Sequence, residues 1–272
     1  LGRGLTLLRS RSLLPRLVNR DYDGDAAQLG ATINVPINPT MTAVAVTASA
    51  AQPSNTDTTF ATTAVNLDKH YEVPFYLTDQ QRLEIMAGTE SKALDTAVAT
   101  LSDYIDSTIM TAMDVGASIA TGTAGTTPFA TLALALSPPT YLDVHKTPSM
   151  DRHVVMSPLA NANLVGLAGF TSGDYQGDLS VMTNGTFNGN NRAGARWWMT
   201  QQTPTHTAGT GASYLVNNGS GLAVGATTIA CDTGAGTILA GDVVSFAADT
   251  ANKYVVATAL SGGSFTIAAP GL

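Results

Sequence analysis

Six apolar residues, Leu94, Val98, Leu101, Ile105, Ile109 and Met113, recur at spacings of three or four. That period places them on one face of a helix. Asp95, Asp103, Asp106 and Thr111 fall mostly on other faces. The run from Thr89 to about Val115 predicts a helix of roughly 38 Å, about twice the usual length. Such a helix suits a structural spine, with the rest of the chain arranged around it.

The flanking segments predict different structure. Thr78 with Gln81 three residues on fits a capping box, and Asp79 suits a first helical turn. A short helix should run from Thr78 to Ala87, with Gly88 as a stop or kink. Upstream, Ile33–Ile37 and Thr42–Val46 are β-branched or alternating, which favours strands. Gln52–Asp57 reads as a turn, and Ala64–Leu67 and Tyr71–Leu77 as the returning arm of a long hairpin. Its centre holds few large residues, and a lone hairpin is marginally stable. It is expected to lie on its own body or on a neighbour.

Downstream of the spine, 116–128 reads as a loop and Phe129–Leu136 as a short helix ended by Pro138-Pro139. His153–Met156 reads as a buried strand. Ser157-Pro158 is an N-cap followed by proline at the first helical position, opening a helix to about Leu167. Glycine and asparagine make 169–191 loop-like, and Arg196–Met199 reads as a strand. Past a boundary near Thr207, short β runs recur at Ser213–Val216, Thr227–Cys231, Asp242–Phe246, Tyr254–Thr258 and Ser264–Ala268. Their regular spacing predicts a small β-barrel or sandwich.

Charge sharpens the picture. Only 12% of the 272 residues are charged, about half the usual share. A surface so poor in charge has little to keep it monomeric, which predicts cover by other subunits. Residues 1–20 hold Arg3, Arg9, Arg11, Arg16 and Arg20 and no acid, leaving eight basic and 20 acidic groups on the rest. An arm of +5 on a body of −12 is an interaction-tail pattern. The arm's arginines interrupt every apolar run, which argues against a secretory signal, although Arg-rich, acid-free composition also fits a transit peptide. No stretch approaches the ~20 apolar residues of a spanning helix, so no membrane partner is expected. The single Cys231 excludes an internal disulfide and reads as a buried structural thiol.

Chemistry-bearing patterns are weak. Asp21-Tyr22-Asp23-Gly24-Asp25 starts like a calcium loop, but Ala26 and Thr32 stand where an EF-hand needs Gly and Glu. His70, His145, His153 and His206 show no metal spacing. The segment 122–127 lacks the Gly-Lys-Ser/Thr end of a phosphate loop. Asn184 and Asn218 start sequons that read as turn chemistry. Trp197 and Trp198 occupy opposite faces of a strand, one ring for the core and one for a neighbouring layer or subunit. No catalytic, cofactor or metal residue is assigned, and no enzyme activity is expected.

Three blocks carry a resemblance. They are Leu17-Val18-Asn19-Arg20-Asp21-Tyr22 with Gly30-Ala31-Thr32-Ile33-Asn34-Val35; Leu67-Asp68-Lys69-His70-Tyr71-Glu72-Val73 with Thr78-Asp79; and Trp198-Met199-Thr200-Gln201-Gln202-Thr203-Pro204-Thr205-His206-Thr207. Together and in this order they resemble tailed-phage major capsid proteins, the coat protein family of short-tailed Salmonella phages in particular. The resemblance implies an α+β chain with the Hong Kong phage-type capsid fold. Residues 1–30 would be the N-terminal arm and 31–77 the extended hairpin loop. Residues 78–120 would be the peripheral domain with its spine helix, 121–205 the axial domain, and 206–272 an inserted β module. Two departures stand out. The chain ends without the family's return to the axial and peripheral domains, and 131–143 carries two prolines where relatives commonly have a charged helix.

The implied function is a virion capsid protein, made in the bacterial host cytoplasm, that self-assembles into an icosahedral shell. Its partners would be other copies of itself in hexamers and pentamers, with scaffolding, portal or decoration proteins. Enclosed genomic DNA would be touched without sequence preference at most. Alternatives are an encapsulin-like compartment shell and a β-rich adhesin or glycan-binding protein. Candidate inter-subunit contacts are Arg9, Arg11, Arg16, Arg20, Val44, Val46, Phe60 and Trp197.

Overall fold

A computed structural model describes residues 8, 11–21, 32–37, 41, 43, 45, 60–86, 92–171 and 180–272. It mixes helices with three small sheets. The chain divides into two units, one of Leu1–Leu17 with Leu94–Leu272 and one of Val18–Ala93.

In the smaller unit, β1 (Thr32–Ile37) pairs antiparallel with β2 (Ala61–Asn66), Thr32 facing Asn66 and Ile37 facing Ala61. The hairpin is therefore present. Its expected turn at 52–57 and most of Thr42–Val46 lie outside the described residues. Tyr71–Leu77 forms no strand. A strand needs a ladder partner, and the six residues of β1 are matched by Ala61–Asn66. Helix α1 (Asp79–Met86) follows. Its start is the expected capping box: the Gln81 N–H donates to Thr78 Oγ1 at 3.3 Å, and the Thr78 N–H to Gln81 Oε1 at 3.1 Å.

The spine helix α2 (Lys92–Gly116) is 25 residues long. Its buried stripe is Val98, Ser102 and Asp106, spaced by four, while Met113 of the apolar face is exposed. Helix α3 (Leu132–Val144) runs through Pro138 and Pro139 rather than ending before them. Pro138 cannot donate to the carbonyl of Leu134. The Ser137 hydroxyl does so instead, at 2.8 Å, and Pro139 is buried.

The first core forms around Trp197. Strands β3 (His153–Met156), β4 (Asn188–Arg192) and β5 (Ala195–Met199) make a sheet in the order β3-β5-β4, β3 parallel and β4 antiparallel to β5. The Trp197 ring packs edge-on against Phe170 and Phe129, with centroids 5.2 and 5.7 Å away. Its Nε1–H donates to the Arg192 carbonyl at 2.9 Å. Helix α4 (Pro158–Val165) starts as expected, the Ala160 N–H donating to Ser157 Oγ at 3.2 Å. Two short helices, α5 (Ala168–Thr171) and α6 (Ser180–Asn184), lead to β4.

The strand β4 is a third correction, because its Asn/Gly sequence reads as loop. Buried Asn161 explains it by donating to the Gly185 carbonyl at 3.0 Å and accepting from the Phe187 N–H at 3.3 Å. That clasp brings the segment to the free edge of β5. Gly189, at φ +74, lets the backbone pass the Trp198 ring; a Cβ there would sit 2.7 Å from it.

The second core lies in an antiparallel sheet, β6-β7-β10-β9-β8. Its strands are β6 (Leu215–Val216), β7 (Thr228–Asp232), β8 (Val243–Phe246), β9 (Asp249–Ser261) and β10 (Ser264–Ile267). All five expected β runs are present, with shifted ends. Alternation turns Ile229, Cys231, Phe265 and Ile267 inward. The thiol of Cys231 is pushed up by burial and by the Asp232 charge, which suits a structural role. Long β9 also reaches the segment after the spine. Ile119 bridges to Tyr254, the Ala120 N–H donates to the Lys253 carbonyl at 2.9 Å, and Lys253 Nζ donates to the Gly122 carbonyl.

Replacing Trp197 with Ala should cost about 3–5 kcal/mol of unfolding free energy. Trp198→Ala should cost clearly less, because that ring is only half-buried. Denaturant unfolding of both variants checks the order.

Candidate subunit-contact surface

The smaller unit exposes apolar surface from element to element. No residue of α1 is buried, although the helix carries Leu83, Ile85 and Met86. Its helicity is local, resting on the capping box and on Asp79 in the first turn. Met86 is 85% exposed and Tyr76 81%, and Tyr71 and Phe75 are exposed as well. Phe60, just before β2, is 66% exposed. Among the described residues, the hairpin presents two unpaired strand edges. Pro36 removes a donor from β1, whereas β2 contains neither proline nor charge. An uncharged, β-branched free edge is a template for pairing with another chain. Exposed aromatic and aliphatic side chains gathered like this mark an interaction surface.

The arm has a defined seat in the larger unit. Asp106 of the spine helix is buried, and its carboxylate accepts from the backbone N–H of Leu13 at 3.1 Å and of Leu14 at 3.2 Å. The Leu14 side chain is fully buried. Pro15 fits the 3-10 turn Leu14–Arg16, whose hydrogen bonds do not need its missing N–H. The Ser12 hydroxyl donates to the Leu8 carbonyl at 3.0 Å.

The expected contact residues divide sharply. Arg11, Arg16, Arg20 and Phe60 lie on the surface. Arg9, Val44 and Val46 lie outside the described residues. Trp197 is corrected: it is the ring turned into the core, so it is closed to another subunit, and Trp198 on the opposite face is the outer ring. Trp198 Nε1–H donates to His153 Nδ1 at 3.2 Å, and His153 Nε2 lies 3.2 Å from Asp151.

Residues the sequence reading passed over matter more. The exposed Tyr71, Tyr76, Leu83 and Met86 lie in segments read as strand or as a short helix. Their signal is aromatic and aliphatic residues without a consistent buried period. Asp106 abuts the spine's apolar stripe at the spacing of Val98 and Ser102, and that was its only sequence mark.

One further polar cluster braces the β region. Asp242 accepts from His206 Nε2 at 2.7 Å, from the Leu239 N–H at 2.7 Å and from the Gly209 N–H at 3.0 Å. Burial pushes its carboxyl up. The hydrogen bonds from His206, Leu239 and Gly209, with the His206 charge, outweigh this and hold it below the usual aspartate range. The arrangement fixes a loop. Among the described residues, no group of three or more His, Cys, Asp or Glu could hold a metal ion, and no helix is long and apolar enough to cross a membrane.

No protein-family model matches the chain, and no curated protein matches it. Among solved structures, a chain of Mycobacterium phage Che8 is similar in fold. It matches 71% of this chain and 70% of its own length, with a TM-score of 0.51 and 21% identity. At that identity the likeness is one of fold. It joins this mixed helix-and-sheet architecture to that of a phage protein.

Two outcomes follow from the clasp and the brace. Asp106→Ala should leave two backbone N–H groups, that of Leu14 buried and that of Leu13 partly so, without their acceptor, costing about 1–3 kcal/mol, and should hasten tryptic cleavage after Arg11 and Arg16. Timed digestion with mass spectrometry checks this. A carboxyl lowered by folding stabilises above its unfolded value and loses that contribution as pH falls through the lowered one. The thermal stability advantage of the natural chain over Asp242→Ala should therefore hold at neutral pH and shrink as pH falls through and below the ordinary aspartate range.

Proposed function

We propose that this chain is a phage major capsid protein whose copies close into an icosahedral shell around the genome. The observation that carries the reading is the unit of Val18–Ala93. It extends a two-stranded hairpin and a helix with no buried residue, and it leaves Phe60, Tyr76, Leu83 and Met86 exposed. Surface of that kind is costly in a monomer and is covered in an assembly. The fold likeness to a phage chain supports the same reading. So does the low overall charge, which leaves broad areas that can approach one another without repulsion.

In this reading the architecture is the Hong Kong phage-type capsid fold, with the spine helix as its axis and the five-stranded sheet as an inserted module. The hairpin and α1 lie across neighbouring copies. The partners are other copies of the chain in hexamers and pentamers, and the site of action is the virion. No catalytic step is needed. Each contact is modest, and repetition over a closed surface supplies stability beyond that of any single pair.

Purified chain examined by negative-stain electron microscopy and sedimentation should form closed shells that enclose nucleic acid. Shells that instead retain a co-expressed enzyme would favour a cargo compartment, and a stable monomer would refute the proposal. The pair Leu83→Asp and Met86→Asp should lower shell yield by about tenfold or more, since charges placed in a buried contact cost several kcal/mol. Helix content should stay unchanged, because neither side chain is buried in the subunit. Sedimentation and circular dichroism measure the two effects.

A further inference from the structure

The larger unit holds an open cleft of about 670 Å³ at the C-terminal end of the spine helix. Met110, Met113 and Asp114 of α2 line it, with Ser157, Pro204 and His206 among the facing residues. Three features give it a cation's chemistry. Asp114 lies in the last turn of a 25-residue helix, where the carbonyl end already favours positive charge. The thioethers of Met110 and Met113 and the ring of Pro204 offer apolar walls for a planar group or an aliphatic stem. His206 Nε2 faces Asp242 at 2.7 Å, and no hydrogen bond or ion pair joins His206 to Asp114 among the described residues. Gly241 closes that side: a Cβ there would lie 2.9 Å from His206 Nδ1 and 3.6 Å from Asp114 Oδ2. Asp242 is saturated by its own donors, whereas Asp114 makes no ion pair or side-chain hydrogen bond among the described residues.

The same chain carries the complementary group. Arg16 is exposed and makes no ion pair among the described residues. Its backbone is fixed, since it closes the 3-10 turn whose first N–H groups are held by Asp106, and its own N–H donates to the Leu13 carbonyl at 3.2 Å. A guanidinium on an anchored backbone loses less freedom on binding than one on a loose tail. The arm's own seat lies eight residues from Asp114, about 12 Å along the helix. No described arm residue lines the cleft.

The geometry points to an intermolecular clamp: Arg16 in the arm of one copy enters the Asp114 cleft of a second copy. The guanidinium would pair with the carboxylate two-pronged, a match lysine cannot make. The inference rests on the shell reading and names one of its contacts. It also gives the basic arm a partner in the acidic body of the same protein rather than in DNA.

Charge reversal tests it. Arg16→Glu and Asp114→Arg, made separately, should each lower shell yield about tenfold at ~0.15 M salt, with unchanged thermal unfolding of the subunit. The double variant should recover assembly. The decisive arm mixes the two single variants. A clamp between copies pairs Glu with Arg, and Arg with Asp, across the contact, so the mixture should assemble where neither variant does alone. Recovery in the double variant without recovery in the mixture would place the pair within one subunit and overturn the clamp. Normal shells from either single variant would overturn it too and leave the shell reading standing. A natural chain that does not self-associate would overturn both. Arg16→Lys should lower shell yield less than Arg16→Glu, since lysine keeps the charge but not the two-pronged match.

Discussion

The packing of Trp197 is the contact on which most of the larger unit depends. One indole, fully buried, meets Phe170, Phe129 and Phe187 at centroid distances of 5.2, 5.7 and 6.5 Å. Through these rings it joins the middle strand of the three-stranded sheet to three segments that precede it in sequence. The chain has only seven phenylalanines and two tryptophans, so three phenylalanines and one tryptophan in one cluster is a concentrated use of large side chains. Edge-on geometry adds to the area effect, because each ring sets its positive edge against the other's negative face. Only four phenylalanines and one tryptophan are left for the rest of the chain.

That scarcity explains which parts were legible in the sequence. Elements fixed by local chemistry were readable: the capping box at Thr78, the Ser157-Pro158 helix start, and the alternation that turns Ile229 and Cys231 inward. Elements fixed by a distant partner were not. Asn188–Arg192 becomes a strand because buried Asn161 holds the preceding loop and because glycine lets it pass Trp198. Pro138-Pro139 fails to stop a helix because a neighbouring serine supplies the missing donor and the surrounding core retains Pro139. The first is a tertiary override of a sound local rule; the second joins a local serine donor to the burial of Pro139.

The candidate surface divides in the same way. Arg11, Arg16 and Phe60 were visible as charge and as a large side chain in a sparse segment. Asp106 was not, because its partners are 92 and 93 residues away in sequence. Trp197 and Trp198 were correctly set on opposite faces, but alternation alone does not say which face is inward. The orientation comes from β4, which covers Trp198 at Gly189, and from the phenylalanines gathered over Trp197.

The two units thus present opposite physical situations. In the larger, two core clusters satisfy the long-range demands of the sheets. In the smaller, the described elements hold by cap and ladder while their apolar side chains remain in water. A segment in that state gains little from the fold of its own chain. What it gains from association is large per residue, since exposed aromatic and aliphatic area is what hydrophobic association removes from water. The arm completes the argument from the other side. Asp106 fixes its backbone through two N–H groups without using any of its charge, so Arg11 and Arg16 stay at the surface on a held backbone. In the proposed clamp, anchoring by amides is what leaves the Arg16 guanidinium to meet a second copy.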